Sequence, residues 1–103
     1  SLPAEISAQL AGDGITLVQI STTYCAPCRQ ARAVLGRLAA EAPGISHAEL
    51  DVTNLPSVVG ELRVLSTPTT IAYDPNGVEL LRISGVPRAG ELRTALQRHP
   101  VSG

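Results

Sequence analysis

Two cysteines three positions apart, Cys25 and Cys28, are the only ones in the chain, within the segment Thr22-Thr23-Tyr24-Cys25-Ala26-Pro27-Cys28-Arg29. Sulfur chemistry runs through the thiolate, and a thiol pKa of ~8.5 drops to ~3.5–7.5 where helix N–H groups and the macrodipole face the sulfur. The pair stands where a β-branched run ends and a helical pattern begins. Cys25 is therefore expected to be the activated thiol. Cys28, one turn further in on the apolar face, is expected to attack a mixed disulfide formed at Cys25. Pro27 removes a donor that a first helical turn cannot use and stiffens the spacing, and Arg29 adds a nearby positive charge. A bridge closing four residues stabilises by roughly 2 kcal/mol at best, against about 5 for a loop of about 100, so this pair is poorly placed to staple a fold.

Other uses of the same residues stay open at this level. A zinc site needs four ligands, and beyond the pair only His47 and His99 are available, neither in a second knuckle, so no metal is expected. Two buried structural thiols, or a redox fold used only for binding, would account for the spacing without turnover. A lone cysteine nucleophile working with His47 would leave Cys28 without a role, and nothing in the sequence brings the two together.

The elements that must hold the pair can be read from periodicity. Leu2, Ile6 and Leu10 recur at helical spacing behind Pro3, and Gly12-Asp13-Gly14 stops that helix. Ile15 to Ser21 is nearly continuously apolar, as in a strand covered on both faces, and only Gln19 interrupts it. From Cys28 onward Ala31, Leu35, Leu38 and Ala42 keep one helical face apolar until Pro43-Gly44. Ile45 to Val52 alternates apolar and polar and predicts a strand. Leu55, Val58, Val59 and Leu62 predict a third helix opened by Pro56. Ser66-Thr67-Pro68-Thr69 breaks the chain before Thr70 to Tyr73, which Asp74-Pro75-Asn76-Gly77 joins to Val78 to Ser84 as a hairpin. A last helix is predicted from about Arg88 to Arg98. The order α-β-α-β-α-β-β-α predicts an α/β chain with a mixed central sheet flanked by helices.

At 103 residues, 44% of them hydrophobic, the chain has one domain's length and buries roughly two thirds of the surface it exposes unfolded. No run approaches the ~18 apolar residues of a membrane span. A net charge of −1, no basic stripe and only two aromatics, Tyr24 and Tyr73, speak against nucleic acid as a partner. The chain opens at Ser1 rather than Met, so a longer precursor is expected.

The chain resembles the thioredoxin family from about Ala4 to His99. Tyr24-Cys25-Ala26-Pro27-Cys28-Arg29 is similar to the family's Trp-Cys-Gly-Pro-Cys-Lys pattern, Thr67-Pro68-Thr69 to its cis-proline segment, Gly85 to its late glycine, and Pro56 to a proline opening the third helix. The resemblance implies a thioredoxin fold and dithiol–disulfide exchange without a bound cofactor. It makes Cys25 and Cys28 catalytic and gives Tyr24, Ala26, Pro27, Thr67, Pro68 and Gly85 a place in the client groove. The implied partners are disulfide-containing proteins and a thiol or NADPH-linked reductase as electron donor, with the chain a monomer. It implies a cytoplasmic location for the chain as given, or a membrane-tethered, extracytoplasmic domain of a longer precursor such as actinobacterial members of the family carry. Departures accompany the match. The family's first strand has no counterpart before Leu2, the tryptophan before the first cysteine is Tyr24, and the buried family aspartate is Gln19, which cannot take a proton. Glu49 stands where the family has a lysine. As the nearest carboxylate in the expected topology it is the candidate for proton transfer, with a pKa raised toward neutrality by partial burial. A reductase is the expected activity; a redox-sensing or binding module, or an oxidase or isomerase of exported proteins, is the alternative.

Overall fold

The computed structural model describes residues 2–99. Its elements are α1 (Ala4–Ser7), β1 (Ile15–Ser21), α2 (Ala26–Glu41), β2 (Ile45–Asp51), α3 (Pro56–Leu62), β3 (Thr69–Tyr73), β4 (Glu79–Ser84) and α4 (Ala89–Leu96). The sheet has strand order β2-β1-β3-β4, with β1 parallel to β2 and antiparallel to β3, and β3 antiparallel to β4. This is the mixed sheet expected from the element order, with the two parallel strands joined through a crossover helix.

All seven residues of β1 are buried, because helices cover both sides of this central strand. Val18 and Ile20 point into a cluster with Ile6, Val58, Leu62, Ile71 and Tyr73, on the side of α1 and α3. Ile15 and Leu17 point the other way, into a cluster with Leu35, Leu38, Leu92 and Leu96 from α2 and α4. Side chains alternate along a strand, so Gln19 shares the α2 side with Ile15 and Leu17. The parallel register pairs Leu17 with His47 and Gln19 with Glu49, which puts those two polar residues of β2 on the same side. A polar cluster is thus laid down under the first turns of α2 by register alone.

The elements depart from expectation mainly at their ends. The first helix is a single turn, and beyond it Gln9 and Leu10 donate to carbonyls three residues back, at 2.9 and 3.3 Å, which tightens the chain toward the glycine-rich turn. β2 is half-buried from Ile45 to Leu50 rather than alternating. It is an edge strand whose polar side chains lie partly under α2. The final helix ends at Leu96, followed by a tighter turn in which Arg98 and His99 donate three residues back. The hairpin turn forms as expected. Asp74 Oδ1 accepts from the Asn76 and Val78 amides at 2.8 and 2.9 Å, and the second strand begins only after this turn has used the Val78 amide.

Candidate active site

Cys25 is the N-cap of α2, with extended backbone at φ −147°, and its sulfur accepts the Cys28 amide at 3.2 Å. A sulfur held in this way receives one otherwise unpaired N–H from the first turn of a 16-residue helix and faces its N-terminus, the surroundings that favour a thiolate. Pro27 sits in the first turn of α2, where no intrahelical partner for an N–H exists. The two cysteines are joined by a disulfide, with Cα atoms 5.2 Å apart. They differ in access: Cys25 is half-buried and Cys28 is 1% exposed. Of the two, Cys25 is the more accessible.

The opposite wall of the site comes from the loop between α3 and β3. Arg63 ends α3 in a left-handed conformation (φ 55°), and Arg82 Nη1 donates to the Leu62 carbonyl at 2.9 Å. The loop then runs to a cis Thr67–Pro68 peptide bond. Thr67 Oγ1 lies 3.9 Å from Cys25 Sγ and 3.4 Å from Thr22 Oγ1. Gly85 donates its amide to the Pro68 carbonyl at 2.8 Å. It has φ +80°, and a Cβ there would meet nothing within 4 Å. A side chain would thus stand free over this edge of the site, in a backbone conformation that L residues resist. Cys25, Cys28, Thr67, Pro68 and Gly85 are therefore brought together. Tyr24 lies just outside them, 98% exposed, as does a residue the sequence reading passed over: Leu65, 97% exposed two positions before Thr67.

Beneath Cys28 lies the polar cluster. Gln19 is fully buried, and its Nε2 donates toward the Cys28 carbonyl at 2.8 Å, Ser21 Oγ at 3.0 Å and Glu49 Oε2 at 3.3 Å. Its Oε1 lies 3.0 Å from His47 Nε2. Glu49 is also gripped by Arg32, whose Nε and Nη2 donate to its two oxygens at 2.6 and 2.9 Å. This pairing corrects one expectation. The Arg32 guanidinium holds the Glu49 carboxyl below the usual carboxylate range, and the opposing effect of partial burial is the smaller. A carboxylate clamped in this way is a weak base at neutral pH. His47 is pulled down from the ordinary imidazole value, first by burial, with Glu49 opposing and Arg32 assisting. Arg32 and His47 are the members that sequence reasoning missed in this role. The signals were present: Arg32 stands four residues after Cys28 on α2, and His47 stands two before Glu49 on β2. Neither cysteine is a hydrogen-bond partner of His47.

The profile of the thioredoxin family matches residues 3–98 of this chain. Among curated proteins, the thioredoxin of Staphylococcus aureus is 32% identical over 87 residues, covering 84% of this chain and 83% of its own length. That of Chlamydia muridarum is 31% identical over 86 residues, with the same coverage. The crystal structure of Fasciola hepatica thioredoxin superposes with a TM-score of 0.72 at 26% identity, covering 92% of this chain and 88% of that one. A mutant thioredoxin from Halobacterium salinarum shares the fold at a TM-score of 0.81 and 18% identity, covering 94% of this chain and 84% of that one.

Proposed function

This chain belongs to the thioredoxin family and is a thiol–disulfide oxidoreductase acting on protein disulfides; from that premise we propose that Cys25 opens the exchange and Cys28 completes it. In the reduced protein, the Cys25 thiolate attacks one sulfur of a client disulfide. A Cys25–client disulfide forms and the client's other sulfur leaves as thiolate. Cys28 gives its proton to water and attacks Cys25 Sγ. The Cys25–Cys28 disulfide forms, the second client thiolate leaves, and two electrons have passed to the client. A thiol or NADPH-linked reductase returns them.

The single observation that carries the order of events is the asymmetry at the start of α2: Cys25 is the half-buried N-cap sulfur accepting an amide, and Cys28 is 1% exposed. The client backbone lies in the groove between Tyr24-Cys25-Ala26-Pro27 and Thr67-Pro68, with Gly85 leaving its edge open. Exposed Tyr24 and Leu65 give that groove apolar flanks. The reading makes the chain a single working domain, monomeric and cytoplasmic. A reducing compartment sustains net reduction of clients.

Two measurements test this. After reduction, iodoacetamide at mildly acidic pH labels Cys25 first, and labelling mainly at Cys28 overturns the order. Cys28→Ser accumulates mixed disulfides with clients while Cys25→Ser does not; equal accumulation by both overturns it as well.

A further inference from the structure

Gln19 offers two amide protons to three acceptors, the Cys28 carbonyl, Ser21 Oγ and Glu49 Oε2. The carbonyl and the carboxylate accept only, so turning the amide over would set its oxygen against both. The amide therefore has one orientation, with Oε1 aimed at His47 Nε2, 3.0 Å away. An amide oxygen accepts only, which requires the proton of the neutral imidazole to sit on Nε2. Nδ1 is left with its lone pair, facing α2 beside Gly36, where a Cβ would lie 4.0 Å from it. The orientation of a backbone carbonyl in the first turn of α2 thus sets the tautomer of a histidine on β2.

From this chain of bonds we propose that His47 is a positioning residue for the step at Cys28, acting through Gln19 and without touching sulfur. The imidazole holds the amide, and the amide ties the turn carrying Cys28 to β1 and β2. That bracing keeps Cys28 Sγ aimed at Cys25 Sγ while the second bond exchange proceeds. The charged groups facing His47 are Glu49 on its own strand and Arg32 on α2, which pair with each other; from β1 it meets Leu17, its partner in the register, and the neutral amide of Gln19. Burial keeps the imidazole neutral near pH 7, and a proton added at Nδ1 leaves the Nε2–H bond to Gln19 in place. The proposal rests on Cys28 being the resolving thiol.

The experiment follows two rates at about pH 8: formation of the Cys25 mixed disulfide with a small disulfide probe, and its resolution by Cys28. His47→Ala is expected to slow resolution about 5-fold, the worth of one neutral hydrogen bond, and to leave formation unchanged. His47→Gln places an N–H donor at the reach of Nε2 and is expected to restore resolution. Unchanged resolution in His47→Ala, equal slowing of both steps, or failure of His47→Gln to rescue overturns the proposal. Histidine nitrogen NMR of the unaltered protein reads the tautomer whether or not the variants fold, and a proton on Nδ1 in the neutral ring overturns the proposal. Cys28→Ser is run alongside. If it traps no client, the assignment of Cys28 falls and the proposal with it; if it traps while His47→Ala behaves as wild type, only the role of His47 falls.

Discussion

Replacing Gln19 by glutamate changes one buried amide into a carboxyl of almost the same shape and makes the polar cluster under Cys28 responsive to pH. The wild-type side chain is fully buried, and its Nε2 faces the Cys28 carbonyl at 2.8 Å and Glu49 Oε2 at 3.3 Å. A carboxylate oxygen in that place meets two groups that cannot donate, so the new side chain is held neutral. Fully buried carboxyls shift upward by as much as 3–5 units. Here the Ser21 hydroxyl can turn to donate and His47 can take a proton, and both offset part of the effect. A rise of about 2–3 units above the ordinary ~4.3 is expected, equivalent to about 3–4 kcal/mol. The carboxyl binds its proton more tightly in the folded state, so stability is retained below the unfolded pKa and lost as pH rises toward the folded one. At about pH 4 Gln19→Glu is expected within about 1 kcal/mol of wild type, since only one N–H donor is missing there. At about pH 8 it is expected to be less stable by about 3–4 kcal/mol. Urea unfolding of the oxidised proteins, followed by far-ultraviolet circular dichroism, measures both differences. A wild-type-to-variant gap of the same size at the two pH values refutes the assigned orientation of the Gln19 amide.

Three other substitutions probe the fold and the rim of the site. Tyr73 is buried with a hydroxyl that has no hydrogen-bond partner, so Tyr73→Phe is expected to be neutral or up to about 1 kcal/mol more stable in denaturant unfolding; a clear loss would mean the hydroxyl is satisfied. Gly85→Ala introduces an L residue at φ +80° without a clash and is expected to cost about 1–2 kcal/mol from the backbone alone, whereas wild-type stability would contradict that conformation. Arg32→Gln removes a half-exposed bidentate partner and is expected to change stability little, but to raise the Glu49 pKa toward its ordinary value in an NMR titration. The stability linked to the depressed Glu49 pKa exists above the ordinary carboxyl value and disappears as pH falls through the folded one; an unmoved Glu49 titration would show that Arg32 is not what holds it down.

Periodicity was enough to order the elements, because a strand buried on both faces, an apolar helical stripe and a proline-led turn are each local patterns. The Cys25–Cys28 pair was legible for the same reason: three-residue spacing across a strand-to-helix junction is a local fact, and the N-cap geometry follows from it. Thr67, Pro68 and Gly85 were legible as a break and a late glycine. Their position against Cys25 required the sheet, because β3 must run antiparallel beside β1 to bring its leading loop to the start of α2. The charge state of Glu49 lay beyond sequence. Partial burial alone argues for a raised pKa; the fold instead sets a guanidinium from the second turn of α2 against the carboxylate, and a 2.6 Å contact outweighs the desolvation that sequence position suggests. The role of His47 is a tertiary matter as well. Its bond to Gln19 joins residues 28 positions apart, and only the parallel register of β1 and β2, with α2 closing over it, puts an imidazole and an amide on the same side of the sheet.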